Sequence, residues 1–209
     1  MIFVHMVREL LMKKIVIIGS SGAGKSTLAR ELGSILKMKV FHLDRYFWQR
    51  GWRVKTRDTR IDILQEIVRE KQWIIEGSYL SSSELHLHEA DTIIFLDIPP
   101  LLCLWRLTKR HLAYRRRSRR DIPEGSTDKL TMSHILKVVT FPLEDRRTIK
   151  QKLRNYKSKQ IIWLRSRKEV EDFLAQQKQD GDEKNPRVIA GEAYERMRLR
   201  PTLLTATLR

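Results

Sequence analysis

Residues 14–19 read Lys-Ile-Val-Ile-Ile-Gly, a β-branched apolar run closed by glycine. The chain then passes through Ser20, Ser21, Gly22, Ala23 and Gly24 to Lys25 and Ser26, and on into a segment with Leu28, Leu32, Ile35 and Leu36 at helical spacing. A buried strand, a glycine-rich loop and a helix in immediate succession leave few folds open. The eight residues Gly19–Ser26 match G-x-x-x-x-G-K-[ST] without a mismatch, and the spacing has a physical cause. Glycines let the backbone turn tightly so that successive N–H groups point inward, and the helix that follows adds the positive end of its dipole. The pattern predicts a nucleoside-triphosphate site built from Gly19, Ser20, Ser21, Gly22, Ala23, Gly24, Lys25, Ser26 and Thr27. Lys25 is expected to reach the β- and γ-phosphates, and Ser26 to ligate Mg²⁺.

The rest of the chain repeats the alternation. Apolar runs at 40–44, 73–77, 92–98 and 160–164 predict four more strands, and helical spacing is found at 60–71, from 101 towards the arginines, and at 167–177. A further helical stretch at 131–157 contains Pro142, which is expected to kink or split it. Residues 45–59 show no clean period and read as loop. Strands that are near-continuous apolar runs, alternating with helices, indicate an α/β fold: a five-stranded parallel sheet covered on both faces, three layers in all. Residues 1–12 read as an N-terminal extension, 13–177 as one domain, and 178–209 as a flexible C-terminal tail without a convincing period. No internal repeat is found.

Composition narrows the class further. With 209 residues and 41% hydrophobic content, the chain is sized for one domain with a closed core, and not for a collagen-like, coiled-coil or disulfide-framework protein. The single cysteine, Cys103, excludes an internal disulfide, so a reducing, cytoplasmic setting is the default. The apolar runs are too short to span a membrane, and Arg8–Glu9 interrupts what would be the apolar region of a signal peptide. No membrane partner is expected.

The 42 Lys+Arg against 25 Asp+Glu give a formal charge of +17, most of it in the body of the chain. Residues 105–120 concentrate it, with eight basic residues and no acid. Beside a triphosphate site, this segment reads as a mobile lid at about 111–130 that closes over the phosphates and neutralises charge in the transition state. The candidates are Arg106, Arg110, Arg115, Arg116, Arg117, Arg119 and Arg120, with Arg115 and Arg119 taken as catalytic; a solvated face and a nucleic-acid patch are the alternatives.

In parallel α/β sheets ligands sit beyond the carboxyl ends of the strands. Asp44, Glu76 and Asp97 occupy such ends in the sequence pattern. Asp44 and Glu76 are the better candidates for positioning Mg²⁺ and the attacking group, while Asp97, before Ile98-Pro99-Pro100, reads as an anchor for that turn. Phe47, Trp48 and Trp52 read as a satellite cluster under the 45–59 loop rather than as a base-stacking wall. Arg146 and Arg147 read as a solvated pair.

GSSGAGKSTLAREL, HLDRYFWQRGW, WIIEGSY and ADTIIFLDIPPLLCLWRLTKR occur in this order. Over roughly residues 13–175 the chain thereby resembles P-loop proteins of the adenylate-kinase-like superfamily, and among them the bacterial topology modulation proteins (FlaR-like). The resemblance implies a nucleoside/nucleotide-kinase type of sheet with a lid after the helix of the fourth strand. It also implies that Asp44 faces the second substrate and that Glu76 supports Mg²⁺ or the acceptor. One departure stands out: the family pattern has Asp-Gly-Asn where this chain has Glu76-Gly77-Ser78. The implied activity is transfer of a γ-phosphoryl group from ATP to a small hydroxyl or phosphate acceptor of nucleoside or nucleotide kind. An NTP-dependent nucleic-acid-binding protein influencing DNA topology is the alternative.

Overall fold

The computed structural model describes residues 12–51, 53–77, 84–114, 131–143 and 145–183. The first strand, β1 (Lys14–Gly19), leads into helix α1 (Lys25–Leu36). Strand β2 (Val40–His42) is followed at once by a short helix, α2 (Leu43–Phe47), and by two brief strands, β3 (Trp48–Gln49) and β4 (Arg53–Val54). Helix α3 (Arg57–Val68), β5 (Trp73–Glu76), α4 (Leu85–Glu89) and β6 (Thr92–Leu96) come next. The chain continues with α5 (Pro100–Tyr114), α6 (Met132–Thr140), α7 (Asp145–Leu153), β7 (Gln160–Leu164) and α8 (Arg167–Glu183).

Five strands form one parallel sheet in the order β2-β5-β1-β6-β7, with β1 in the middle. Side chains alternate between its faces, so each strand feeds two cores. Val16, Ile18, Trp73, Ile75, Ile93 and Phe95 pack on one side with residues of α2, α3, α4 and α7. Ile15, Ile17, Ile74, Ile94 and Leu96 pack on the other with residues of α1, α5 and α8. This is the three-layer α/β arrangement the strand pattern predicts. At the lower end of the sheet Asp91 accepts the Lys13 and Lys14 backbone N–H groups at 2.9 and 2.8 Å and the Thr92 hydroxyl at 2.8 Å, locking β1 to β6.

The differences from the sequence reading are local. The run 40–44 yields only three strand residues, because Leu43 and Asp44 already belong to α2. The 45–59 segment is not plain loop: Trp48–Gln49 pairs antiparallel with Arg53–Val54 around Gly51, whose φ of +78° supplies the turn. Phe47 is not a satellite but sits fully buried in the main core. Helix α3 starts at Arg57 rather than 60, since the Thr56 hydroxyl caps it by accepting the Thr59 N–H at 3.3 Å. Around Pro142 the helical stretch splits into α6 and α7, as the proline requires. Helix α8 continues to Glu183, six residues beyond the expected end. Within the described residues no helix is long and apolar enough to cross a membrane.

His86 on α4 is fully buried, with neither ring nitrogen hydrogen-bonded, and burial lowers its pKa to about 4 although Glu84 opposes the shift. The folded protein keeps this ring neutral where the unfolded chain would protonate it. Stability from this site is therefore complete above about pH 6.5 and is lost as pH falls towards 4, by on the order of 3 kcal/mol. Replacing His86 by Leu is expected to flatten this part of the stability–pH curve, measured by urea unfolding between pH 7 and pH 4.

Candidate functional site

The site begins at the carboxyl end of the central strand. Order in the sheet reverses there, β5 lying to one side of β1 and β6 to the other, so the loops after β1 diverge from their neighbours and leave a crevice. The loop 19–24 fills it. Gly22 has φ +80°, and a Cβ there would stand 2.3 Å from the Cys103 carbonyl oxygen, so any side chain would push the loop off α5. Gly24 has φ +101° and forms the N-cap of α1 with no side-chain hydrogen bond and no acid in the first helical turn. The positive end of the α1 dipole is thus left open to an external anion.

The side chains of the motif converge on the same crevice. Lys25 Nζ donates to the Ser20 carbonyl at 3.0 Å, folded back over the loop. Ser26 Oγ donates to Glu76 Oε1 at 3.0 Å, across 50 residues of sequence. Glu76 is 4% exposed. Its placement follows from strand register: His42 of β2 and Ile17 of β1 are its partners on either side. Parallel partners share a face, and here it is the face on which α1 lies. His42 Nδ1 therefore reaches the same Glu76 Oε1, at 2.8 Å. A buried carboxylate must be satisfied by hydrogen bonds or charge; Ser26 and His42 do so from two different elements.

Other predicted residues fall elsewhere. Asp44 is exposed on the first turn of α2, two residues past the end of β2, not at a strand end. Asp97 is 6% exposed at its side chain and binds Arg146, whose Nε and Nη2 donate to Oδ2 at 3.0 and 2.7 Å. Arg146 is therefore only partly solvated: it ties α7 to the residue just past β6, and the Asp97 carboxylate anchors α7. Of the seven lid candidates, Arg106 and Arg110 lie within the described residues, on α5. Arg106 Nη1 donates to the Ala23 carbonyl at 3.1 Å, touching the loop itself. Arg115, Arg116, Arg117, Arg119 and Arg120, with most of the expected 111–130 lid, lie outside the described residues, as does Trp52. Cys103 packs beneath the loop; burial pushes its thiol pKa up, against the opposing charges of Arg106 and Lys25, so it serves as a packing group.

His42 is not a candidate on sequence grounds alone. Its signal is present in the strand pattern, since it is the β2 residue that must lie level with Glu76 once β2 is placed beside β5. That placement is not visible in the sequence.

No protein-family model and no curated protein matches the chain. Solved structures do. The shikimate kinase from Acinetobacter baumannii in complex with shikimate superimposes with a TM-score of 0.53 at 14% identity, over 82% of this chain and 93% of that one. This is the P-loop kinase fold. The shikimate kinase from Bacteroides thetaiotaomicron matches at 19% identity with a TM-score of 0.47, over 78% of this chain and 94% of that one. Deoxyadenosine kinase from M. mycoides matches at 14% identity with a TM-score of 0.42, over 78% and 97% respectively.

Two substitutions probe this geometry. Glu76→Gln keeps the shape but removes the charge; were this carboxylate to hold Mg²⁺ beside a bound nucleotide, the variant would raise the Mg²⁺ concentration needed for tight ATP binding by about 10- to 100-fold, read from Mg²⁺ titrations of nucleotide affinity. Gly22→Ala is expected to destabilise the fold by about 1–3 kcal/mol through its positive φ and its clash with the Cys103 carbonyl, read from chemical unfolding.

Proposed function

We propose that this protein is an ATP-dependent phosphotransferase that passes the γ-phosphoryl group to a hydroxyl or phosphate of a small, nucleoside- or nucleotide-like acceptor. The observation that carries the reading is the Ser26–Glu76 contact at the open N-terminus of α1. In it the motif hydroxyl meets a buried carboxylate where a phosphate-bound cation would sit. Two hard oxygen donors suit Mg²⁺, which takes few protein ligands and fills the rest of its octahedron with water and phosphate oxygens. When bound, Mg²⁺ would supply charge neutralisation and orientation of the phosphates.

The chain's own residues have distinct work in this reading. The loop amides and Lys25 grip the β- and γ-phosphates, Lys25 exchanging its Ser20 carbonyl for phosphate oxygen. Ser26 and Glu76 hold the metal or its water shell, and His42 keeps the Glu76 carboxylate aimed. Arg106 stiffens the loop through the Ala23 carbonyl. Asp44, exposed on α2 near the end of β2, receives the acceptor, and Arg115 and Arg119 neutralise the transferring group from the lid. The Acinetobacter baumannii neighbour is a kinase solved in complex with the small molecule shikimate, which favours this class over a bare ATP switch.

The test is Mg·ATP consumption by the purified protein against nucleosides, nucleoside monophosphates and small hydroxylated acids, each with and without Lys25→Ala. One acceptor is expected to raise turnover well above the water background, and Lys25→Ala to lower that turnover by roughly 100-fold or more. Turnover that no acceptor raises overturns the proposal.

A further inference from the structure

A second basic segment lies outside the site described above. Residues 145–168 carry ten Lys+Arg and one acid, Asp145, and the fold gathers part of them around one hollow. Helix α7 presents Arg147 and Lys150 at i and i+3, on one face, and Arg154 follows in the turn just past its last residue, Leu153. Lys157 follows in the turn after α7, and Arg165 follows β7, the edge strand of the sheet. Between them opens a hollow of about 460 Å³ whose floor includes Ile161 and Trp163. It adjoins a smaller one of about 320 Å³ that shares Lys150 and Arg154 and adds Arg147. Among the described residues no acidic side chain lines either hollow. Among the described residues, none of the five cations forms an ion pair.

The floor is as particular as the rim. Trp163 is half-buried and held edge-on by Phe95, ring centroids 5.0 Å apart at 81°. Lys150 Nζ lies 5.6 Å from the Trp163 ring centroid. An aromatic surface fixed from below, in a hollow ringed by cations, has the two parts by which single-stranded nucleic acid is gripped: a stacking platform and an electrostatic track. From Arg147 on α7 to Arg154 just past its end the cations extend over about 10 Å, taking seven residues at roughly 1.5 Å each, a length over which a stacked strand carries about three phosphates. An anionic membrane would need apolar groups that project from the surface, not a ring recessed below charged side chains. A duplex keeps its bases inside the stack and offers the ring nothing.

We propose that the α7–β7 groove is a binding site for single-stranded nucleic acid, with an unpaired base on Trp163 and the backbone along Arg147, Lys150, Arg154, Lys157 and Arg165. The site shares no residue with the crevice of Lys25, Ser26 and Glu76, and the inference does not depend on the phosphotransferase reading. It gives the large positive charge a task that one triphosphate does not need.

The experiment is fluorescence anisotropy of a labelled oligothymidylate with the full chain across a range of salt, with unlabelled duplex DNA, polyglutamate and phosphatidylserine vesicles as competitors. The single strand is expected to bind with a steep salt dependence, and to be displaced weakly by the three competitors. Lys150→Gln with Arg154→Gln is expected to make the slope of log K against log salt shallower by about 1.4, at about 0.7 for each phosphate no longer neutralised. Trp163→Leu is expected to weaken binding about tenfold at high salt, where stacking dominates. Lys25→Ala is expected to leave binding unchanged. Circular dichroism and melting of the cation variants, whose side chains lie at the surface, keep a folding defect apart from a binding defect. Absence of binding overturns the proposal, as does an affinity and slope unaltered in the Lys150/Arg154 variant. Displacement by polyglutamate or vesicles as effective as by the unlabelled strand also overturns it.

Discussion

Strand β1 is the constraint on which the rest of the molecule depends. It is paired on both sides, to β5 and β6, and its side chains feed both cores. Its carboxyl end lies where the strand order reverses, and the loop that leaves it must clear the chain that leaves β6. It does so at close range: Gly22 lies against the Cys103 carbonyl, and a Cβ at Gly19 would stand 2.6 Å from the Leu96 carbonyl oxygen. Helix α5 is seated by this approach, and Arg106 is carried to the loop backbone with it. The glycines of the motif thus shape a phosphate cradle and also set how closely two elements pack.

The carboxylate of Glu76 is the electrostatic counterpart of that mechanical constraint. A charged group at 4% exposure stays only where partners compensate the lost water. Here Ser26 from α1 and His42 from β2 meet a single oxygen of it, Oε1. The arrangement costs desolvation, which the hydrogen bonds from Ser26 and His42 offset.

Much of the molecule is legible in the sequence because the relevant signals are local. Five apolar runs at strand length, the loop between Gly19 and Ser26 and the break at Pro142 all act over a few residues. Where the structure departs from that reading, the limits of local reasoning show. Apolarity continuing through Leu43 points to Asp44 at a strand end, yet Leu43 is buried as part of a helix. Arg146 looks solvated beside Arg147, since its partner Asp97 lies 49 residues earlier. Thr56 is a readable cap that the helical period alone does not reveal. The basic groove is invisible in the sequence because its cations are spread over α7, the following turn and the end of β7.

The sequence by itself determined the glycine-rich loop between strand and helix, the parallel α/β class, and Asp44 and Glu76 as the acids to watch, for these rest on backbone chemistry and side-chain period within short windows. Only the tertiary structure decided that β2 lies beside β5, and hence that His42 joins Ser26 on Glu76; it alone decided that Asp97 takes Arg146, and that Trp163 lies under a rim of cations. Strand order and helix docking are set by which faces bury together across the whole chain. Side chains that meet through them carry no mark of one another in the sequence.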